Sequence, residues 1–553
     1  MNRDISKLTE KVYDLVIIGG GIYGAAAAWD AASRGLSVAL LEQEDFGSKN
    51  SSNSQKTIHG GLRYIQHGDI KRMRESICER TSLMRIAPHL VHPMPCLIPT
   101  YGRLMQSVMP LALNIYDIVS FDRNKLEDPQ KHIPSGRVVS REECMRMIPG
   151  INDDGLTGGV IWHDSQVYNT ERMVLSFVKS AEIAGADAAN YVKVIGFLRE
   201  GNCIKGIKGN DVLNDSEIEV KAKIVLNASG PWVDSILGLV KESHSHVTRL
   251  TKMMLLVVNR RFAHEYAFGV PSRKKSEDKD AVVNKGYRLL FISPWRDYSL
   301  IGTAQELYEG DPDKHNITEN DIQGFIEEIN EAYPHAALSR KDVSFFYGGL
   351  LPIDGVNQNG DVNLVKRYRI YDHEKEGIKG LVSIIGVKYT EGRFVAQKTV
   401  DMIYKKLGLN SPECITMETQ VQGGQIGRFN GFLEEAIEKR PEELSEETVK
   451  QLVCNYGSEY PEIVKFIDED PDYAQRISAR SHVIKAEILF NIREEMAQKL
   501  ADVVLRRTEL GSAGYPGDDA LKTCADIMAQ ELGWDEAKVQ REIEDVKMIY
   551  VLD

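Results

Sequence analysis

Three glycines, Gly19, Gly21 and Gly24, stand in the spacing G-x-G-x-x-G, and an acid, Glu42, follows about 20 residues on. Residues of these types at this spacing hold a dinucleotide. The first glycine permits a tight turn, the second lets backbone approach a pyrophosphate, and the third lets a helix lie close on a sheet. A carboxylate at the end of the next strand accepts hydrogen bonds from a ribose. The glycines alone are weak evidence, because a plain βαβ turn can carry them by chance. Here the flanking elements agree with them. Leu15-Val16-Ile17-Ile18 reads as a short buried strand, Ala25 to Ala28 open a helix, and Ser37 to Glu42 read as the next strand. A pyrophosphate would then meet the helix N-terminus, where unpaired N–H groups and the dipole favour negative charge.

A second group of chemically able residues is Thr57-Ile58-His59-Gly60-Gly61-Leu62-Arg63-Tyr64. Two readings stand for it: backbone passing close to a ligand with polar side chains aimed at it, or a surface turn with solvated polar groups. A third group follows the apolar run Leu381 to Gly386 and comprises Val387-Lys388-Tyr389-Thr390-Glu391-Gly392-Arg393. It leads into a helix expected to reach about Lys406, with Thr390 as the candidate N-cap.

The elements that must position these groups alternate between strand and helix patterns. Gln43 to Lys56 is dense in Ser, Asn and Gly and reads as loop. Gly159 to Trp162 is strand-like, and Asn169 to Ala184 carries Met173, Phe177 and Ala181 on one helical face. Lys193 to Val225 reads as strands around a turn at Gly201-Asn202, a second layer on a doubly wound sheet. Leu250 to Val258 and Tyr287 to Ser293 read as antiparallel strands, with a turn at Asn284-Lys285-Gly286. Ile317 to Tyr333 sets Ile322, Phe325, Ile326 and Ile329 at helical spacing. Residues 407 to 421 read as a linker. Beyond it, Phe429 to Glu438, Glu446 to Tyr456, Tyr460 to Asp468 and Ile492 to Leu505 read as helices, the last with Ile492, Met496, Leu500 and Val503 on one face.

A chain of 553 residues is too long for one simple core. Its formal charge of -13 argues against nucleic acid as the main partner, while leaving room for a local basic pocket that holds an anionic metabolite. Seven scattered cysteines, none in C-x-x-C spacing, suit free thiols in a reducing cytosol and argue against a zinc site or a disulfide framework. Residues 1 to 11 lack the apolar core of a secretory signal. The longest apolar approach to a membrane span, Leu104 to Phe121, is interrupted by Gln106, Asn114 and Asp117 and is expected to break at Pro110. It reads either as a helix packed on the protein or as an interfacial membrane contact.

Several stretches together resemble the FAD-dependent glycerol-3-phosphate dehydrogenases and α-glycerophosphate oxidases. These are Gly19-Gly20-Gly21-Ile22-Tyr23-Gly24, Asp30 to Leu36, Ser51-Ser52, Lys56, Ile58 to Tyr64, Ala87-Pro88-His89-Leu90, Asn227 to Asp234, Ile301-Gly302-Thr303 with Tyr308 to Pro312, and Glu531 to Trp534. The resemblance implies an α/β fold in which a Rossmann-like FAD-binding lobe, about 12–95, 155–245 and 345–408, interleaves with an antiparallel substrate lobe, about 96–154 and 246–344. An all-helical domain would follow from 409 to 553. The motif's start close to the N-terminus points, by analogy with flavoenzymes, to FAD rather than NAD.

What the family does implies a small anionic alcohol oxidised by hydride transfer to FAD, with Gly19, Gly21, Gly24, Glu42, Ser51, Ser52, Gly230 and Thr390 at the cofactor. Arg63 matches its phosphate-clamping arginine, with Tyr64 beside it, and Lys388 matches its lysine near flavin and substrate. Lys388 and His59 are the residues expected to carry the chemistry. The partners implied are the metabolite, a quinone at a membrane surface or oxygen as electron acceptor, and a second copy of the chain. A cytoplasmic protein is expected, peripheral on the inner face of the plasma membrane if the acceptor is a quinone.

Three positions depart from the family. Leu255 stands where a histidine, a candidate proton acceptor, is common, Leu351 where a second phosphate-binding arginine is, and Gln305 where an acid is. Leucine can neither take a proton nor pair with phosphate. Either glycerol 3-phosphate is held by a rearranged set including Arg63, His59, Lys366 or Arg367, or the substrate is a different anionic alcohol or amine, which the residue chemistry favours. His59, His163 and Tyr389 are substitute bases, each with a structural hydrogen-bonding role as its alternative. A flavin-binding scaffold or sensor without turnover is the reading from outside the enzymes.

Overall fold

The computed structural model of the chain describes residues 1–240, 247–275, 287–356 and 362–552. Leu15, Val16, Ile17 and Ile18 are all buried, the continuous apolar run of a strand covered on both faces. They belong to the strand Val12–Ile18, which pairs in parallel with Val38–Leu41 on one side and Ser216–Asn227 on the other. Leu381–Ile385 continues the parallel sheet, and Arg369–Asp372 closes that edge antiparallel. The helix Ile22–Ser33 lies against Thr170–Ile183 and Gly392–Leu407. Its Ala25, Ala26, Ala27 and Ala28 are buried, so small side chains let it sit close to its neighbours.

Val192–Glu200 and Cys203–Asp211 form a ribbon around the turn at Gly201-Asn202, as the sequence predicts. The ribbon is no second layer, however. It pairs antiparallel with the first half of Ser216–Asn227 and so extends the same sheet.

The second sheet has ten strands and is mostly antiparallel. Arg249–Val258 lies between Tyr298–Tyr308 and Val343–Val356, and Val91–Tyr101 pairs with Leu156–Val167. This sheet reaches beyond the expected substrate-lobe bounds, taking in Thr57–Ile58, Leu156–Val167 and the strand from Val343. Apolar alternation marks a strand without naming the sheet it joins. The helix Glu319–Ala332 begins in a Thr318/Asp321 capping box and buries Ile322, Phe325, Ile326 and Ile329, as their spacing predicts. The predicted turn at Asn284-Lys285-Gly286 lies outside the described residues.

The expected break at Pro110 does not occur. The helix runs Gly102–Val119 with Pro110 inside it, losing one backbone donor yet held by Leu113 and Tyr116, which are buried against the protein.

Helices dominate from Phe429 onward: Phe429–Glu438, Glu446–Tyr456 and Tyr460–Glu469 form where their apolar spacing predicts. The predicted helix Ile492 to Leu505 is instead interrupted. Lys485–Glu494 ends, Met496 takes a φ of +56°, and a π-helical turn spans Asp502–Arg507. The interruption places Glu495 against the nucleotide lobe, where its carboxylate accepts from Arg172 Nη2 at 2.8 Å and Lys179 Nζ at 3.1 Å. Burial alone would raise the Glu495 pKa, but Arg172 and Lys179 hold it down at about 2. Asp45, just past the second parallel strand, likewise accepts from Arg507 and Arg506. The helical region is thus tied by buried ion pairs to the loop that follows Glu42.

Candidate active site

A cavity of about 1830 Å³ runs between the two sheets, larger than the ~300–1,000 Å³ that suits one small ligand. Gly19, Gly21, Ile22 and Glu42 line one end of it. Gly19 has a φ of +103°, and a Cβ there would come within 2.8 Å of the Ala228 carbonyl. Gly21 is the N-cap of the twelve-residue helix Ile22–Ser33 and brings no capping side chain, so the helix end meets the cavity with backbone donors. Glu42 accepts from Gly20 N at 2.6 Å and from Glu44 N at 3.0 Å, which fixes the carboxylate at the end of its strand. Burial pushes its pKa up to about 7. Gly230, at a φ of +59°, lines the same end with Ala228 and Ser229. A tight glycine turn, a helix N-terminus whose cap residue brings no side chain and a carboxylate on the next strand together fit a dinucleotide such as FAD.

Gly24 faces inward instead, with its Cα packed where a Cβ would meet Gly19 O. Ser51 reaches the helix start, its Oγ accepting from Ile22 N at 3.0 Å. Ser52 is not at the cavity: its hydroxyl donates to Lys49 O at 2.9 Å, inside its own loop. Thr390 lines the cavity but is not the helix N-cap. A 3₁₀ turn, Tyr389–Glu391, intervenes before the helix Gly392–Leu407, and Thr390 Oγ1 instead accepts from His59 N at 3.2 Å. The N-cap preference of threonine does not anticipate such a turn.

His59, Arg63, Tyr64 and Lys388 line the same cavity. Lys388 Nζ lies 4.3 Å from the Tyr64 ring centroid and 2.7 Å from Glu391 Oε1. Burial, opposed by Glu391 and assisted by the charge of Arg72, brings the Lys388 pKa down to about 8. The lysine is fixed from behind, since Tyr23 Oη donates to its carbonyl at 2.9 Å. Tyr64 is buried, which pushes its phenol up to about 12. Arg63 sits in the 3₁₀ turn Leu62–His67, which begins after Gly61 at a φ of +83°.

His59 is half-exposed, and its Nδ1 is 3.1 Å from Asp164 Oδ2. Asp164 Oδ1 also accepts from Gly60 N at 2.7 Å. Burial would raise the Asp164 pKa, but the His59 hydrogen bond and the charges of His59 and Arg80 hold it below the usual range. With Nδ1–H given to that carboxylate, the neutral imidazole keeps a lone pair on Nε2. Asp164 and Arg72 were not visible from local spacing. Asp164 is on the strand Leu156–Val167 and Arg72 in the first turn of Ile70–Ile86, a helix marked in sequence by Asp69, which caps it.

The other expected residues divide. Leu255 is buried in an apolar cluster with Trp295, Phe345 and Tyr347 and does not reach the cavity wall. Leu351 and Gln305 do line it. Lys366 and Arg367 also line it, and Arg367 pairs with Asp69 at 2.9 Å. Two of the three substitute bases drop out. His163 is off the cavity wall, with burial and Arg80 pushing its pKa down to about 4. Tyr389 Oη donates to Thr170 O at 2.8 Å, and burial raises its pKa.

Comparison with known proteins agrees with this arrangement. Residues 14–382 match the FAD dependent oxidoreductase family, and residues 414–539 match the C-terminal domain of alpha-glycerophosphate oxidase. A glycerol-3-phosphate dehydrogenase of Synechocystis sp. is 33% identical over 98% of this chain and 97% of its own length. The aerobic glycerol-3-phosphate dehydrogenase of Staphylococcus haemolyticus is 29% identical over 96% of this chain and 93% of its own. The crystal structure of the glycerol-3-phosphate dehydrogenase from Bacillus halodurans, complexed with FAD, superposes with a TM-score of 0.77 at 25% identity, covering 99% of this chain and 96% of that one.

Proposed function

The chain belongs to the family of FAD-dependent oxidoreductases that contains the glycerol-3-phosphate dehydrogenases, and we propose that its own substrate is glycerol 3-phosphate. The observation that carries this reading is the single cavity that joins the glycine turn to His59, Arg63, Tyr64 and Lys388. FAD, when bound along the glycine end, supplies the acceptor for the hydride. The chain's own residues do the rest. Arg63 offers a planar fork to the phosphate. Lys388 places a cation beside Tyr64, where it stabilises negative charge developing on the substrate oxygen. His59, held by Asp164, takes the hydroxyl proton at Nε2.

Anaerobic addition of glycerol 3-phosphate to the FAD-loaded protein should bleach the flavin absorbance within seconds. Absence of bleaching, together with bleaching by a hydroxy acid or an amine from the same panel, would replace the substrate. No bleaching with any of them would leave a flavin-binding scaffold.

The electron acceptor proposed is a quinone reached at a membrane surface. Among the described residues no helix is long and apolar enough to cross a membrane. Support comes from the helix Gly102–Val119, one face of which is buried while Leu104, Leu111 and Ile118, spaced seven apart, are 68%, 61% and 73% exposed. Phe121, just beyond it, is 76% exposed. Leu111→Glu should abolish co-sedimentation with vesicles of bacterial polar lipids while flavin content is retained. Sedimentation equal to that of the unaltered protein would remove this face as the contact.

A further inference from the structure

We infer that Arg72 is the second guanidinium of the phosphate clamp, supplying from the helix Ile70–Ile86 the charge that Leu351 cannot supply from its strand. The inference rests on the proposed reading of the cavity as a site for a phosphorylated alcohol, and it names the residue that makes up for a missing one.

Asp69 caps the helix by accepting from Arg72 N at 3.1 Å, which fixes Arg72 in the first turn. From there its guanidinium carbon lies 4.3 Å from the Tyr64 ring centroid, the same distance as Lys388 Nζ. The two cations are therefore no further apart than twice that distance. Where the two share a face of the ring, a tetrahedral oxyanion bridges them, its separate oxygens taking charge-assisted hydrogen bonds of about 2.8 Å. Arg72 also lines the cavity, as do Arg63 and Leu351.

Arg72 Nε is buried without a hydrogen-bond partner. Among the described residues no ion pair joins its guanidinium to a carboxylate, and the charge it feels from the capping Asp69 is shared with Arg367. Its neighbours differ. Arg74 is bonded twice to Asp122, Arg288 pairs with Glu328, Arg367 with Asp69 and Lys388 with Glu391. A guanidinium carries five donors, and a buried donor left unmade is costly, so a site that keeps one empty is built for an anion that arrives with the ligand. Tyr64 supplies the apolar face on which the planar group rests, an arrangement that suits arginine better than lysine.

The test uses the FAD-loaded full chain and two variants, Arg72→Met, which still covers the Tyr64 ring, and Arg72→Lys. Inorganic phosphate binding is measured by calorimetry and glycerol 3-phosphate turnover by steady-state kinetics. Arg72→Met should raise both the phosphate Kd and the substrate KM by about 10- to 100-fold, with kcat falling far less and FAD content unchanged. Arg72→Lys should recover part of the loss.

A second readout comes from Lys388, which faces Glu391, Asp69, Arg72 and the Tyr64 ring. Removing the Arg72 charge should move the alkaline limb of kcat/KM to higher pH. A wild-type protein that binds no phosphate, or an Arg72→Met variant with unaltered phosphate Kd and KM, overturns the clamp. Phosphate binding that depends on Arg72 in a protein that glycerol 3-phosphate fails to reduce leaves the clamp standing and overturns the substrate instead.

Discussion

Lys388→Met is expected to lower kcat by about 10²- to 10³-fold, the usual loss when one preorganised charge at a reacting oxygen is removed. The expectation follows from where the amine sits. It is largely buried, bonded to Glu391 at 2.7 Å and seated on the Tyr64 ring, so its cation acts in a medium that screens it poorly. The same burial lowers its pKa to about 8, which sets a pH signature. Lys388 is charged below that value and neutral above it, so kcat/KM of the unaltered protein should fall as pH rises through about 8. In Lys388→Met that limb should vanish, while FAD remains bound because the substitution leaves the glycine turn and Glu42 unaltered and keeps the backbone carbonyl that Tyr23 bonds. A kcat within a few-fold of the unaltered protein, or an alkaline limb that survives the substitution, would take Lys388 out of the chemistry. The result is separable from the Arg72 effect, which falls mainly on KM.

The contrast between those two residues shows what could be read from the chain alone. Lys388 follows a short apolar run that reads as a buried strand and is one, and Gly19, Gly21 and Glu42 sit at spacings that one strand, one turn and one helix impose. Such groups are local, so periodicity and turn chemistry expose them. Arg72 lies only nine positions after Arg63, yet its role depends on a ring stack and an empty acceptor position, neither of which leaves a spacing. Asp164 becomes the partner of His59 only because Thr57–Ile58 pairs with the strand Leu156–Val167.

The misjudged elements have the same origin. Threonine favours an N-cap, yet Thr390 is taken up by the backbone of His59. The apolar repeat through Met496 and Leu500 describes a continuous helix, but the buried pairing of Glu495 with Arg172 and Lys179 requires the chain to turn there. Propensity is a weak prior that a tertiary contact overrides. Leu255 stands where the family commonly has a base, and its burial among Trp295, Phe345 and Tyr347, behind Gly302, keeps its side chain off the cavity wall.

Gly24→Ala should yield a protein that retains less than about a tenth of its FAD and is destabilised by about 1–3 kcal/mol or more, the range for forcing an extra methyl into a packed contact. The added Cβ would lie 1.8 Å from the Gly19 carbonyl oxygen and 3.4 Å from Ile17 Cγ2. The first contact is with backbone, so no rotamer change relieves it, and the helix Ile22–Ser33 must lift or the turn must open. Neither can happen alone. Gly19 is itself wedged against Ala228 and Ser229 and holds a φ of +103°, while the helix is clamped by its neighbours Thr170–Ile183 and Gly392–Leu407. Any displacement separates Gly21 and the helix N-terminus from Glu42, which is the geometry that a pyrophosphate and a ribose must meet together. The matching substitution Gly324→Ala is the control: that glycine is in the helix Glu319–Ala332, with nothing within 4 Å of its Cβ position. It should stabilise the chain by about 1 kcal/mol or less through helix propensity and leave FAD content untouched. If absorbance at the flavin maximum per mole of protein is the same in both variants, the close contact of helix and turn is not what holds the cofactor, and the whole nucleotide end of the cavity has been assigned to the wrong backbone.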